Sequence, residues 1–196
     1  LEAYKRGYDV LFVDQRAQWE SGGKYITYGK SESDDVLRWI EKISDDKIKE
    51  IHLYGISMGA STLCYASDKI ADKRVKSIVA DCGYTSPREL INHILKRQKV
   101  PELLVAAAFH AGEKIAKASM KDKTEEHLSK TSIPVFFIHG EDDTVVPVSH
   151  SERNFNACRS KKRLEIVKNA GHACAAVVGG KELRDKIFLF LGDNNE

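Results

Sequence analysis

Charge of one sign is the first thing this 196-residue sequence lacks: 31 Lys and Arg stand against 29 Asp and Glu, a formal net charge of +2. The two signs are interspersed, so there is no clustered basic face of the kind nucleic acid requires. A long hydrophobic run is also missing. Apolar stretches such as 103–109 fall well short of a membrane span, and no secretory leader is visible. Cysteine is scarce, and Cys64, Cys82, Cys158 and Cys174 show neither a C-x-x-C pair nor a metal-ligand spacing. That pattern predicts free thiols in a reducing, cytoplasmic setting and no structural metal site. Repeats and low-complexity tracts are absent as well.

What is present is an ordinary globular balance, 42% hydrophobic and 31% charged, in a chain long enough for one core and short for two. Strand-like and helix-like segments alternate. Apolar, β-branched runs predict strands at 8–14, 51–56, 75–80, 133–138 and 163–168. Helical spacing is read at 34–43 behind a capping Ser33, at 60–69, at 149–157 and at 181–191. Between them lie a polar loop at 15–30 and a charged turn at 44–50. Several strands are apolar almost throughout, which predicts a mostly parallel, doubly wound α/β sheet with helices on both faces. Residues 85–131 interrupt the alternation with two helices, the second running from Glu102 to Met120, and are expected to form a small helical cap over a cleft. The chain opens on the end of a helix, 1–6, closed by Gly7, which leads us to expect a single domain lacking its N-terminal strands.

The most informative stretch is Gly55-Ile56-Ser57-Met58-Gly59, at a strand-to-helix junction. A serine between two glycines at such a junction suits a nucleophile on a sharp turn, its hydroxyl raised above the sheet. The glycines are expected to let strand and helix approach where a Cβ would clash. Two further polar loops stand at strand ends: Asp142 and Asp143 after 133–138, and His172 after 163–168. Ligands of such sheets sit beyond these ends. The chain order serine, acid, histidine matches one way of building a hydrolytic triad. The chemistry demands these types: a hydroxyl needs a neutral imidazole to accept its proton, and the imidazole needs a carboxylate to fix its tautomer. The Met58 N–H, next after the serine at a helix start, is placed to meet an oxyanion. A second donor is expected from a loop after an earlier strand, before Leu1.

These motifs resemble the α/β-hydrolase superfamily: Gly55-Ile56-Ser57-Met58-Gly59-Ala60, the run from His139 through Asp143 to Pro147, and Ala170-Gly171-His172. Asp14-Gln15-Arg16-Ala17, Tyr25 to Gly29, and Asp81 to Ser86 look like a bacterial subgroup of esterase-like or peptidase-like serine hydrolases. The resemblance implies Ser57 as nucleophile, His172 as base and Asp143 as acid, with no metal or organic cofactor. Its H-G-x-x-D-x-x-V-P pattern favours Asp143 over the neighbouring Asp142, with Asp81 a lesser alternative because some relatives of the fold place their acid at that strand end. The sequence departs from the family after Arg16-Ala17, where Gln18-Trp19 replaces the usual His-Gly. Trp19 therefore either walls the pocket or packs on the surface.

The function expected is hydrolysis of a small-molecule carboxylic ester through an acyl-enzyme. Two alternatives stay open: a peptidase or amidase with the same triad, and a non-catalytic, hydrolase-like binding protein. Neither nucleic acid nor a membrane segment enters this expectation, and the oligomeric state stays open. His139 and His52 read as structural residues in strands, Cys64 as core, and Cys174 as a half-buried thiol near the cleft. The basic run 159–163 reads as a solvated turn.

Overall fold

The computed structural model describes residues 2–43, 45 and 47–192. Four strands form one sheet in the order β1-β2-β3-β4, and every pairing is parallel: β1 (Ile51–Ile56), β2 (Val75–Asp81), β3 (Val135–Gly140) and β4 (Lys162–Val167). The helices are α1 (Glu2–Lys5), α2 (Glu32–Lys42), α3 (Met58–Ala66), α4 (Pro87–Arg97), α5 (Glu102–Ala116), α6 (Thr124–Leu128), α7 (Ser149–Ala157), α8 (Ala175–Val178) and α9 (Gly180–Gly192).

Two cores hold the layers together, one on each sheet face. Ile78, Ala80, Val135 and Phe137 pack with Ile40 of α2, Leu63 and Cys64 of α3, and Phe155 of α7. The alternating residues Val79, Phe136 and Ile138 face the other way, against Leu183, Ile187, Phe190 and Leu191 of α9. The period-2 alternation of side chains across a strand produces this split. Because both faces are covered, β3 is buried along its whole length, which is why Val135 to Ile138 read as an unbroken apolar run. Burying each such large apolar side chain contributes about 1.5–3 kcal/mol.

One expected strand does not join the sheet. Residues 8–14 form no strand, and Val10, Leu11, Phe12 and Val13 are exposed. An apolar run becomes a strand only where a neighbour supplies hydrogen bonds, and β1 pairs with β2 alone among the described strands. Tyr8 does reach the sheet, meeting the ring of His52 edge-on at 5.8 Å and Phe188 of α9 at 5.9 Å.

Smaller differences have local causes. Ser33 lies inside α2, which starts one residue after Ser31, and its hydroxyl donates to the Lys30 carbonyl instead of capping. The second helix of 85–131 ends at Ala116, because Lys117 takes a left-handed conformation with φ 51°. The short helices α6 and α8, at five and four residues, are too short to show a periodicity in the sequence. Of the charged turn at 44–50, Ser44 and Asp46 lie outside the described residues, as does Leu1 of the opening helix. Gly7, which closes that helix, has φ +87°, a conformation glycine adopts without strain.

Residues 85–131 carry α4, α5 and α6. The start of α4 is set by Ser86, whose hydroxyl accepts the Glu89 N–H at 3.2 Å, with Pro87 at the first helical turn. The Glu89 carboxylate turns outward and, with Glu125 of α6, holds Arg153 of α7. Arg97 at the far end of α4 donates to the Thr144 carbonyl, beside Asp143.

Candidate active site

The parallel register sets the ends of the four strands side by side. Asp81, the last residue of β2, lies opposite both Ile56 of β1 and Ile138 of β3, and Gly140 lies opposite Val167 of β4. The loops that follow therefore open onto one rim.

Ser57 stands at the turn from β1 into α3 with φ 52° and ψ −113°. A non-glycine residue held there stores strain, and it persists because its surroundings fix it. Gly55 makes the turn possible, since a Cβ on it would come within 2.5 Å of the Gly59 carbonyl carbon and oxygen. Gly59 serves through its backbone alone, because a Cβ of its own would meet nothing nearer than the Gln15 amide at 3.9 Å. The N–H of Met58 opens α3, where the dipole and the unpaired amides favour negative charge.

The three residues expected to act together are brought together. His172 Nε2 lies 3.0 Å from Ser57 Oγ, and His172 Nδ1 lies 2.7 Å from Asp143 Oδ2. A carboxylate only accepts, so Nδ1 carries the proton and the Nε2 lone pair faces the hydroxyl. Asp142 is exposed, while Asp143 is 7% exposed. Asp143 Oδ1 accepts the N–H groups of Val145 and Val146, each at 2.9 Å. Burial pushes the Asp143 carboxyl up, but hydrogen bonds from His139, His172, Val146 and Val145 outweigh it and hold the group at about 2. It is an anion at any neutral pH.

His139 does more than its place inside a strand suggests. Nε2 donates to the Val146 carbonyl at 2.8 Å and also stands 3.2 Å from Asp143 Oδ2, while Nδ1 accepts the Ser151 hydroxyl at 2.6 Å. It ties the acid's loop to β3 and α7. A histidine four residues before the motif's aspartate was the available signal, and in β3 alone it looked merely structural.

Asp81 and Cys82 extend the site inward from the centre of the sheet. Asp81 is 1% exposed; its Oδ2 accepts the Tyr54 hydroxyl at 3.2 Å and its Oδ1 has no hydrogen-bond partner. Burial raises this carboxyl to about 6. Cys82 is fully buried in a left-handed conformation, φ 47°, and burial pushes its thiol up to about 12. The N–H groups of Ala173 and Ser57 lie against it and oppose that shift. Cys82 carries no motif of its own, because only the parallel register sets the residue after β2 between the other loops. Cys174 is exposed, contrary to the half-buried thiol expected, and Cys64 is core as expected.

A cavity of about 190 Å³ lies between α4, α5 and the loop at Tyr28, lined by Tyr28, Ile91, Leu95, Val105, Phe109 and Met120. Tyr28 and Met58 pack against the same cluster of Tyr84, Leu90 and Val146. Trp19 walls nothing: it adopts φ 48°, the region a glycine would use, and is 88% exposed. Gln15 instead reaches α3, donating from Nε2 to Thr62 Oγ1 at 3.2 Å.

A family model described as alpha/beta hydrolase fold matches residues 2–104. An uncharacterized protein of Bacillus subtilis, YqkD, is 30% identical over 203 residues, covering 97% of this chain and 64% of its own length. A lysophosphatidylserine lipase of Xenopus tropicalis, ABHD12, is 21% identical, covering 97% of this chain and 51% of its own. Among solved structures, the Pyrococcus furiosus esterase Pf2001 superposes with a TM-score of 0.73 at 26% identity, over 97% of this chain and 73% of the other. The chain thus spans about half to two-thirds of the length of the curated relatives it matches.

Proposed function

The chain belongs to the α/β-hydrolase fold family, and from that premise we propose that it is a serine hydrolase cleaving a carboxylic ester through an acyl-enzyme. The observation that carries the proposal is the continuous relay from Asp143 through His172 to Ser57, at 2.7 and 3.0 Å, ending on a serine in a strained elbow.

In this reading Ser57 Oγ attacks the acyl carbon while its proton passes to His172 Nε2. The imidazolium is stabilised by the Asp143 carboxylate, which stays ionised. The negative charge on the former carbonyl oxygen is met by the Met58 N–H. His172 then returns the proton to the leaving alcohol, and water repeats the sequence to release the acid. No residue in this scheme needs a cofactor. The apolar cavity beside Tyr28 supports an ester with an apolar acyl or alcohol part. The Pyrococcus furiosus relative is described as an esterase, which favours ester over amide.

The test is Ser57→Ala. We expect kcat towards p-nitrophenyl acetate to fall by about 10⁴–10⁶, with an unchanged circular dichroism spectrum and loss of fluorophosphonate labelling. Wild-type turnover in the variant would overturn the proposal. An aminoacyl p-nitroanilide cleaved faster than the ester would favour a peptidase. A wild-type protein inert to substrates and probes alike would favour a binding role.

A further inference from the structure

Cys82 has no part in the relay, yet it is built into it. One ligand-capable atom each from Cys82, Asp143 and His172 lie within 4.8 Å of one another. Nothing in the spacing of the cysteines announced this group. Register creates it, by setting the end of β2 between β1 and β3. The thiol is held there by a left-handed backbone, and Ser57 and Ala173, which flank it, are left-handed too. Beside it the buried Asp81 Oδ1 lacks a partner.

We propose that Cys82, Asp143 and His172 form a site for a soft divalent cation of the zinc class, and that occupancy reversibly switches the hydrolase off. The regulatory half rests on the serine-hydrolase reading; the binding half does not.

The donor set suits such an ion. Thiolate and imidazole select zinc, cadmium or cobalt over magnesium and calcium. Bonds of about 2.0–2.3 Å place ligand atoms about 3.3–3.6 Å apart around a tetrahedral centre, so closure from 4.8 Å needs about 1 Å of movement. One thiolate, one carboxylate and one neutral imidazole balance the dication, and a neutral cluster is one a buried site tolerates. The way in is the cleft side of the imidazole, whose side chain is 24% exposed. A fourth position remains for water, the Ser57 hydroxyl or Asp81.

Inhibition follows from coordination at Nδ1, the ring nitrogen that faces Asp143. A cation there displaces the proton held towards Asp143, and the neutral ring then carries its proton on Nε2, where it no longer accepts one from Ser57. The thiol gives its proton to solvent and nothing is oxidised.

Cobalt(II) provides a readout that does not depend on turnover. Titration of the protein should produce a near-ultraviolet thiolate-to-cobalt charge-transfer band at one equivalent, and Ser57→Ala should keep it. Cys82→Ser and Cys82→Ala should abolish it, whereas Cys174→Ser should not. Zinc chloride should inhibit ester hydrolysis reversibly, with EDTA restoring the rate and magnesium without effect. The zinc inhibition constant, measured against each variant's own metal-free rate, should rise at least about tenfold in both Cys82 variants. The absence of a band in the wild-type protein, or a band that follows Cys174, would overturn the site. A Cys82-dependent band without zinc inhibition of an active protein would overturn the switch. A band on a protein without hydrolase activity would leave the site standing and remove the proposed function.

Discussion

Asp143→Asn provides a demanding test of the relay, because the structure dictates how the amide must sit. Oδ1 faces the two N–H groups of Val145 and Val146, so the amide carbonyl belongs there. The NH₂ group then takes the Oδ2 position, facing His172 Nδ1 and His139 Nε2. Two donors cannot share that contact, so His172 is driven to carry its proton on Nε2, towards Ser57. Catalysis loses its base in the ground state and its counter-ion in the transition state. With an effective dielectric of about 20 and about 3.5 Å between charges, the lost attraction to the imidazolium is about 5 kcal/mol. At 1.36 kcal/mol per decade, kcat should fall by about 10³–10⁴. Steady-state hydrolysis of p-nitrophenyl acetate at pH 7.5 measures it, with active-site titration to count competent molecules. Asp81→Asn is the companion variant, because Asp81 donates no acceptor to the relay, and its loss should stay within about tenfold. A near-normal Asp143→Asn enzyme would refute the reasoning, and so would an equal loss in Asp81→Asn.

Two other perturbations follow from the same geometry. A Cβ on Gly140 would come within 2.3 Å of the Ala170 carbonyl oxygen and 2.7 Å of that of Gly171. Gly140→Ala should therefore push the turn bearing His172 outward and lower kcat at least about tenfold, while Gly22→Ala, with open space around it, should do neither; equal rates in the two variants would count against the account. His150 is held at about 4, mainly by burial, with Arg153, His139 and His93 adding to the effect and Glu89 opposing it. Because it is neutral in the fold while an unfolded chain takes up its proton near pH 6.5, its contribution is complete above 6.5 and lost as the pH falls towards 4, up to about 3 kcal/mol. Urea unfolding at pH 7.5, 5.5 and 4.5 should show that slope, and it should flatten in His150→Gln; an unchanged slope would remove His150 as its source.

The features legible in the sequence are those fixed by short-range rules. The strand-to-helix turn at Ser57 needs Gly55 for close approach, and that requirement is written in five residues. The alternation of β3 and β4 with their helices carries the parallel sheet with it. The choice of Asp143 over Asp142 was also legible as a pattern, and in the fold one is buried against His172 while the other faces solvent. What the sequence hid depends on partners far along the chain. Residues 8–14 have strand composition but no pairing among the described strands, and composition cannot report a missing neighbour. Cys82 carries no sequence signal beyond a free thiol, because its surroundings come from residues 57, 143 and 172. His139 reads as a structural residue of β3, and its grip on Asp143 spans a loop whose path no local rule specifies. Trp19 shows the limit of steric argument from residue type: it takes the conformation that its side chain disfavours, on an open surface.

The relay joins residues 115 positions apart, and every strand beneath it pairs in parallel through a crossover. Such contacts are the last to repay the entropy of closing the chain. A refolding molecule would thus recover its helical signal well before His172 meets Ser57. Returning turnover would date the final docking of the β4 end of the molecule, making the chemistry its own clock for complete assembly.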